Sequence, residues 1–283
     1  MKSQSAAGES LPPPRHQRVD GAARLAVGKN GLTDLYQRAP CRLLFPDTEP
    51  GEPLQAVSLT TTGGLTGGDR IAFELDIAAD AAATLTTQAA ERLYRVHPGD
   101  PDILIDTVLT IGDRGWGEWL AQEAILYDGT RVRRRFQADV AASGRMLAVE
   151  SLVFGRTAMG ETIRTGRIHD SWHIRRNGRL VWVDALHLEG DIAAQMAAPF
   201  AFGDANSTAT ILYVGPDAAD HLTAVRTLID GAQGGATIFD GLLIVRLLSA
   251  DAAALRRSVI RIVAGLRHLA GGYLAAMPNV WHC

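Results

Sequence analysis

The chain has 283 residues, of which 47% are hydrophobic and 21% are charged, enough for one large domain or two small ones with a substantial buried core. The net charge is −3, from 28 basic and 31 acidic residues, so no overall charge indicates nucleic acid or a membrane surface as a partner. No apolar run approaches the roughly 18 residues of a membrane-spanning helix, and two cysteines, Cys41 and Cys283, are too few for a disulfide scaffold, which suits a cytosolic protein.

The first 18 residues, MKSQSAAGESLPPPRHQR, are polar and interrupted by prolines. This composition predicts a disordered leader, and it lacks the apolar core of a signal peptide. Neither a linker nor an internal repeat divides the rest of the sequence. We therefore expect residues 19–283 to form a single β-rich domain.

Alternation of apolar and polar residues dominates the sequence from Val19 onward. This pattern of half-buried strands occurs at residues 71–77, 103–111, 131–140, 147–154, 168–174 and 180–188. Asn177-Gly178 is a hairpin signal between the last two segments. Many short strands at this spacing favour stacked antiparallel or helically wound sheets over a βαβ enzyme.

Helices are predicted only late in the chain. Residues 217–230 have apolar side chains at helical spacing, and a longer helix is predicted from a Ser249 cap to a stop at Gly271-Gly272. The sequence therefore predicts a mainly β protein with a few helices near its C-terminus.

Residues 60–70, TTTGGLTGGDR, contain two glycine pairs: Gly63, Gly64, Gly67 and Gly68. Glycine permits tight turns and close approach of other groups. A nucleotide-binding P-loop would need lysine and a hydroxyl residue where Asp69 and Arg70 stand, and a helix after them. The segment that follows alternates like a strand, so a structural turn between two strands is the favoured interpretation.

The sequence offers little for catalysis. It contains no G-x-S-x-G nucleophile motif, and neither C-x-x-C nor H-E-x-x-H for zinc. A metal-dependent hydrolase on a β scaffold remains an alternative, although the missing motif histidines weigh against it. The final Trp281-His282-Cys283 offers imidazole and thiolate ligands that suit nickel or copper, but a frayed tail is the favoured interpretation.

Five segments appear in this order: LTTTGGLTGGDR (59–70), LTTQAAERLYR (85–95), GEWLAQEAILYDG (117–129), FGRTAMGE (154–161) and MPNVWH (277–282). In order and content they resemble the family of the urease accessory protein UreD, called UreH in some organisms. One departure is Asn279, where the family pattern leads us to expect arginine. That difference bears on the role of the tail.

The resemblance implies a non-enzymatic maturation factor in the cytoplasm. Such a protein would bind apo-urease, a UreF-like accessory protein and a UreG-like GTPase, with nickel bound transiently and no tightly bound cofactor. The family fold is a β-helical arrangement of stacked sheets with a few helices, around an internal passage for nickel.

The resemblance also implies which residues form the functional site. In the first motif these are Gly63, Gly64, Gly67, Gly68, Asp69 and Arg70. Residues matching the second motif either shape the same region or pack in buried strands: Thr86, Thr87, Gln88, Glu91, Tyr94 and Arg95. Candidates for transient nickel contact are Asp69, Glu161 and Asp184.

Overall fold

A computed structural model describes residues 18–156 and 159–282. Residues 1–17 of the predicted leader, and Cys283, lie outside the described residues, so the boundary between leader and domain stays a prediction. Within the described residues, no helix is both long and apolar enough to cross a membrane.

Strands make up most of the regular structure. In chain order they are β1 (Asp20–Gly28), β2 (Gly31–Arg38), β3 (Cys41–Leu44), β4 (Leu54–Thr60), β5 (Arg70–Ile77), β6 (Ala82–Thr87), β7 (Glu91–Leu93), β8 (Ile103–Ile111), β9 (Trp116–Leu120), β10 (Ala124–Leu126), β11 (Arg131–Val140), β12 (Arg145–Phe154), β13 (Thr165–Arg176), β14 (Arg179–Asp191), β15 (Ser207–Val214), β16 (Gln233–Phe239) and β17 (Leu242–Ser249). The helices are α1 (Ile192–Met196), α2 (Leu222–Ile229) and α3 (Ala252–Gly271), and 3₁₀ turns cover Ala218–His221 and Asn279–His282.

The strands form two mixed sheets. The first has the order β14-β13-β11-β8-β5-β1-β2, and the second has the order β16-β17-β15-β12-β9-β6-β4-β3, with β10 joining β12 to β7. Within each sheet the central neighbours are parallel and the outer pairs antiparallel, while the chain passes repeatedly from one sheet to the other. The mainly β class is confirmed; a β-helical arrangement is not established, because both sheets are mixed.

The molecule has three layers, because the second sheet is covered on both faces. One buried cluster lies between the two sheets and includes Phe73, Phe136 and Met146. A second cluster lies between the second sheet and helices α2 and α3, and includes Leu147 and Val259. Strand β12 is therefore buried from its second residue to its end, since alternate side chains enter different clusters.

The strands and the hairpin turn predicted from alternation are present, with β13 and β14 joined at residues 177–178. The predicted cap of the long helix is wrong: Asp251, not Ser249, accepts the capping hydrogen bond, from the Ala253 N–H at 2.9 Å. Ser249 instead ends β17. The helix does stop as predicted, with Gly272 left-handed at a φ of +71°.

Candidate functional site

The glycine-rich segment is the connection between β4 and β5, as predicted for a turn between strands. Gly64 has a φ of +141° and Gly68 a φ of +82°, values that favour glycine. A Cβ atom on Gly64 would lie 2.6 Å from the Tyr94 ring and 2.7 Å from the Arg92 carbonyl oxygen. Glycine at position 64 therefore lets this connection lie directly against residues 91–95.

The first two motifs meet along a short backbone ladder, which we call the motif junction (residues 63–66 against 92–95). Leu65 and Leu93 form a parallel bridge. The Leu65 N–H donates to the Arg92 carbonyl and the Tyr94 N–H donates to the Leu65 carbonyl, both at 2.8 Å. The Tyr94 hydroxyl donates to the Gly63 carbonyl at 2.5 Å. Segments some 30 residues apart thus form one structural unit.

Asp69 stabilises the glycine-rich connection through hydrogen bonds to its side-chain carboxylate. Its side chain is buried, and its two carboxylate oxygens accept the backbone N–H groups of Val19 and Thr66, each at 2.8 Å. Arg70 begins β5 with an exposed side chain, and its N–H donates to the Val19 carbonyl at 2.8 Å. A carboxylate that satisfies two backbone donors stabilises the turn. The Gly67 carbonyl accepts a hydrogen bond from Arg18.

The second motif also contacts the third. The Thr86 hydroxyl donates to the Leu120 carbonyl at 2.7 Å. The Gln122 N–H donates to the Thr87 hydroxyl at 2.8 Å, and the Gln122 amide nitrogen donates to the carbonyls of Thr87 and Gln88 at 3.0 and 2.9 Å. Thr86, Thr87 and Gln88 therefore hold β6 and the end of β9 in register.

The C-terminal tail completes this group of motifs. Trp281 is buried, and its indole N–H donates to the Thr86 hydroxyl at 3.0 Å. The Arg256 guanidinium lies 4.7 Å from the Trp281 ring centroid and donates to the Trp281 carbonyl at 2.8 Å. The predicted frayed tail is wrong for residues 279–282, because these contacts fix it. Cys283, half of the possible ligand pair with the exposed His282, lies outside the described residues.

A cleft of about 240 Å³ opens beside the motif junction. Its lining includes Gly63, Gly64, Thr87, Gln88 and Glu91. Burial raises the pKa of the Glu91 carboxyl to about 7. Glu91 therefore titrates near neutral pH at the wall of a cleft built from the first two motifs.

Cys41 is fully buried and pairs across β3 and β4 with Thr60, which lines this cleft. Burial, with a smaller contribution from the charge of Glu91, raises the pKa of its thiol to about 12. The thiolate is the form that binds metals and reacts as a nucleophile. Cys41 is therefore a protonated packing residue at neutral pH.

Arg95 lies on the opposite side of the junction and faces Asp128 of the third motif, at 3.5 Å between Nη2 and Oδ2. Asp128 is buried and accepts the backbone N–H groups of Arg164 and Thr165 at 2.8 and 3.0 Å. The third motif is thereby joined to the start of β13.

The three nickel candidates lie in different surroundings. Asp69 is bonded within the glycine-rich connection, as described above. Glu161 forms an ion pair with Arg156 at 2.6 Å. Asp184 forms one with Arg246 at 2.5 Å. Within residues 18–156 and 159–282, no group of three or more His, Cys, Asp or Glu side chains is placed to hold a metal ion.

Asp184 does share a second cleft, of about 430 Å³, with two other carboxylates, those of Glu150 and Asp170. The buried Arg134 guanidinium pairs with Glu150 at 3.1 Å and with Asp170 at 3.0 Å. Burial raises the pKa of Glu150, although the charge of Arg134 acts in the opposite direction. This cleft lies between the middle of β13 and β14 and the second sheet, and carries the largest group of acidic side chains near a candidate residue.

Comparison with known proteins agrees with the motif arrangement. The model of the UreD urease accessory protein family matches residues 18–282. The chain belongs to the UreD family. The match extends from the first described residue to the tail, so it includes all the segments that meet around the motif junction.

Individual relatives cover the same length. The chain is 40% identical over 272 residues to "Urease accessory protein UreD" of Rhizobium leguminosarum bv. trifolii (strain WSM2304), covering 95% of this chain and 97% of the relative. It is 42% identical over 280 residues to the protein of the same name in Methylobacterium sp. (strain 4-46), covering 95% and 96%. A UreD protein of Magnetococcus marinus is 39% identical over 276 residues, covering 94% of each chain. These relatives are accessory proteins, in agreement with the prediction that the chain is not an enzyme.

Sequence reasoning missed the residues that join the motifs: Gln122, Arg256 and Arg267. Gln122 belongs to the third motif, so the sequence indicated its position but not its contacts with the second motif. Arg256 and Arg267 lie in α3, where charged residues usually face water. Arg267 instead is buried and pairs with Glu118, which is itself buried, at 2.9 Å. Nothing in the local pattern distinguishes it from a solvated arginine.

Proposed function

We propose that this protein is a scaffold for urease maturation in the cytoplasm. In this role it binds apo-urease together with a UreF-like accessory protein and a UreG-like GTPase, and aids delivery of nickel to the urease active site. The observation that carries the proposal is the UreD family match over residues 18–282. A scaffold for several partners needs exposed apolar side chains, and strand β2 at the edge of the first sheet exposes Leu32, Leu35 and Tyr36.

Nickel in this proposal is a cargo that passes through weak, exchangeable oxygen ligands. A closed cage of thiolates and imidazoles would hold the ion too tightly for transfer. Asp184 is the best placed of the three candidates, since its cleft also contains Glu150 and Asp170. All three candidates would have to release their present partners before contacting an ion, Asp184 from Arg246 included. Asp69 and Glu161 are secondary candidates because neither lines that cleft.

The partner proposal is tested by co-purification. The tagged chain is expressed with and without the UreF-like protein and apo-urease from the same source, and the eluate is assayed for each partner. Co-elution of apo-urease and the UreF-like protein supports the scaffold. A folded chain that elutes alone in every combination contradicts it.

The nickel proposal is tested separately, by substitution. Asp184→Asn removes the charge in the second cleft, and Asp106→Asn is the matched control, since Asp106 pairs with Arg135 at 2.9 Å on an exposed surface. The nickel content of co-expressed urease should fall with Asp184→Asn and not with Asp106→Asn, while partner co-elution is retained in both. Equal nickel content in the two variants would exclude Asp184 from the path.

A further inference from the structure

A third cleft, larger than the two described above, adjoins the cleft beside the motif junction at Gln88, which lines both. It has a volume of about 600 Å³ and two walls, formed by residues 44–53, from the last residue of β3 onward, and by residues 274–280 of the tail. Its floor includes Gln55 and Val57 of β4 and Thr84 of β6. We call it the tail cleft.

One buried guanidinium fixes the separation of the two walls. Arg267 donates to the carboxylate of Glu52 on the first wall at 2.7 Å and to the Ala276 carbonyl on the second wall at 2.5 Å. Glu52 in turn accepts the Leu274 N–H at 2.7 Å. The pairing of Arg267 with buried Glu118 anchors this arrangement to the second sheet. The tail cleft is therefore preformed, which lowers the entropy lost on binding.

Each wall of the cleft exposes large apolar side chains. Leu44 and Phe45 on the first wall are 55% and 39% exposed, and Leu274 on the second wall is 53% exposed. Large apolar side chains gathered on both sides of an open cleft mark a binding surface more strongly than scattered ones do. An apolar side chain of a ligand would be covered from both walls.

The charge of the cleft is negative. Its lining has three carboxylates, those of Asp47, Glu49 and Glu52, and one guanidinium, that of Arg267. Glu52 is engaged by Arg267, whereas Asp47 and Glu49 are exposed and have no ion-pair or side-chain hydrogen-bond partner among the described residues. A ligand with basic groups on either side of an apolar group would complement this lining.

Two amides add a third feature. The side chains of Gln55 and Gln88 line the cleft and, in the part of the chain that the structure describes, make no hydrogen bond. Each amide has donors and an acceptor, which match the N–H and carbonyl groups of a peptide backbone. We propose that the tail cleft binds a basic segment of a partner protein, with an apolar side chain held between the two walls.

This proposal does not depend on the role in urease maturation, and its test uses the purified chain alone. A fluorescein-labelled peptide GKLRFKG is titrated with the protein and followed by anisotropy. Two control peptides separate the parts of the proposal: GELEFEG reverses the charge and GKSRSKG removes the apolar side chains. GKLRFKG should bind with one site, and both controls should bind about tenfold more weakly or worse.

Protein variants locate the site. The double substitution Asp47→Lys and Glu49→Lys should weaken GKLRFKG binding about tenfold, because two exposed acidic groups become basic. Asp76→Lys with Asp220→Lys is the control, since both residues are exposed and lie outside the cleft. Leu274→Ser should also weaken binding, whereas Leu269→Ser, at a residue 45% exposed on α3, should not.

The peptide-binding results either support the proposal or overturn it. Selective binding of GKLRFKG that is lost with the cleft variants and kept with their controls, in proteins of equal melting temperature, supports the proposal. Equal binding of GELEFEG, equal binding of GKSRSKG, or affinity unchanged by the cleft variants overturns it. If one cleft variant has a lowered melting temperature, the other cleft variant is used in its place, because Leu274→Ser and the Asp47-Glu49 double substitution change different residues of the lining.

Discussion

Removal of the Trp281 ring tests the packing of the tail against the second motif. The side chain is 3% exposed, donates to Thr86 at 3.0 Å, and lies under the Arg256 guanidinium. Replacing a buried tryptophan by alanine costs about 3–5 kcal/mol, since it removes buried apolar area and leaves a cavity. At roughly 2–4 °C per kcal/mol for a domain of about this size, Trp281→Ala should lower the melting temperature by about 6–20 °C.

The assay is urea unfolding followed by circular dichroism, with thermal melting as a second measurement. Trp281→Phe keeps most of the ring but loses the indole donor, so it should cost only about 1–2 kcal/mol. Phe200→Ala is the control, because Phe200 is fully exposed and its removal should change the free energy of unfolding by less than about 0.5 kcal/mol. A Trp281→Ala protein as stable as Phe200→Ala would refute the docked tail.

Three further predictions concern the motif junction and its supports. Burial raises the pKa of Glu91 from 4.5 to about 7, so the contribution of Glu91 to stability falls as pH rises through that window and is constant above it. The free energy of unfolding of Glu91→Gln, measured in urea, should therefore increase by about 1–3 kcal/mol relative to that of the parent between pH 4 and pH 8. A difference between the two proteins that does not depend on pH would contradict the raised pKa. Gly64→Ala should lower the free energy of unfolding, measured in urea, by more than about 2 kcal/mol, because Gly64 has a φ of +141° and lies against the Tyr94 ring and the Arg92 carbonyl. Gly235→Ala is the control, since a Cβ atom at Gly235 would meet no neighbour, and should change stability by less than about 1 kcal/mol. Arg267→Met should cost about 3–5 kcal/mol because a buried carboxylate loses its partner. Arg114→Met, in an exposed pair, is the control and should leave the melting temperature nearly unchanged. Equal melting temperatures for the two variants would contradict the role of the buried guanidinium.

Local signals in the sequence were sufficient for the strands, the hairpin turn and the glycine-rich turn. Alternation over residues 103–111 and 131–140 identified β8 and β11 because each has one face in the core. In β12 the same reasoning located the strand but not its burial on both faces. That burial depends on α2 and α3, which come more than 60 residues later in the chain.

The contacts between motifs could not be predicted from the sequence. Thr86 and Trp281 are 195 residues apart, and no local pattern specifies such a pair. The misplaced helix cap has a different cause, because Ser249 and Asp251 are both good capping residues two positions apart and only the backbone geometry separates them. Asp69 was predicted as a candidate for nickel contact, and its carboxylate accepts two backbone N–H groups that the sequence did not reveal.

The measurement that tests the central claim most directly is the nickel content and activity of urease produced with and without this chain. Urease is co-expressed with its other accessory proteins in the presence of nickel, purified, and analysed for bound metal and for urea hydrolysis. The account predicts nickel-poor, weakly active urease when the chain is omitted, and recovery of both when it is supplied from a second plasmid. Urease that is fully loaded and active without the chain would contradict a role in its maturation.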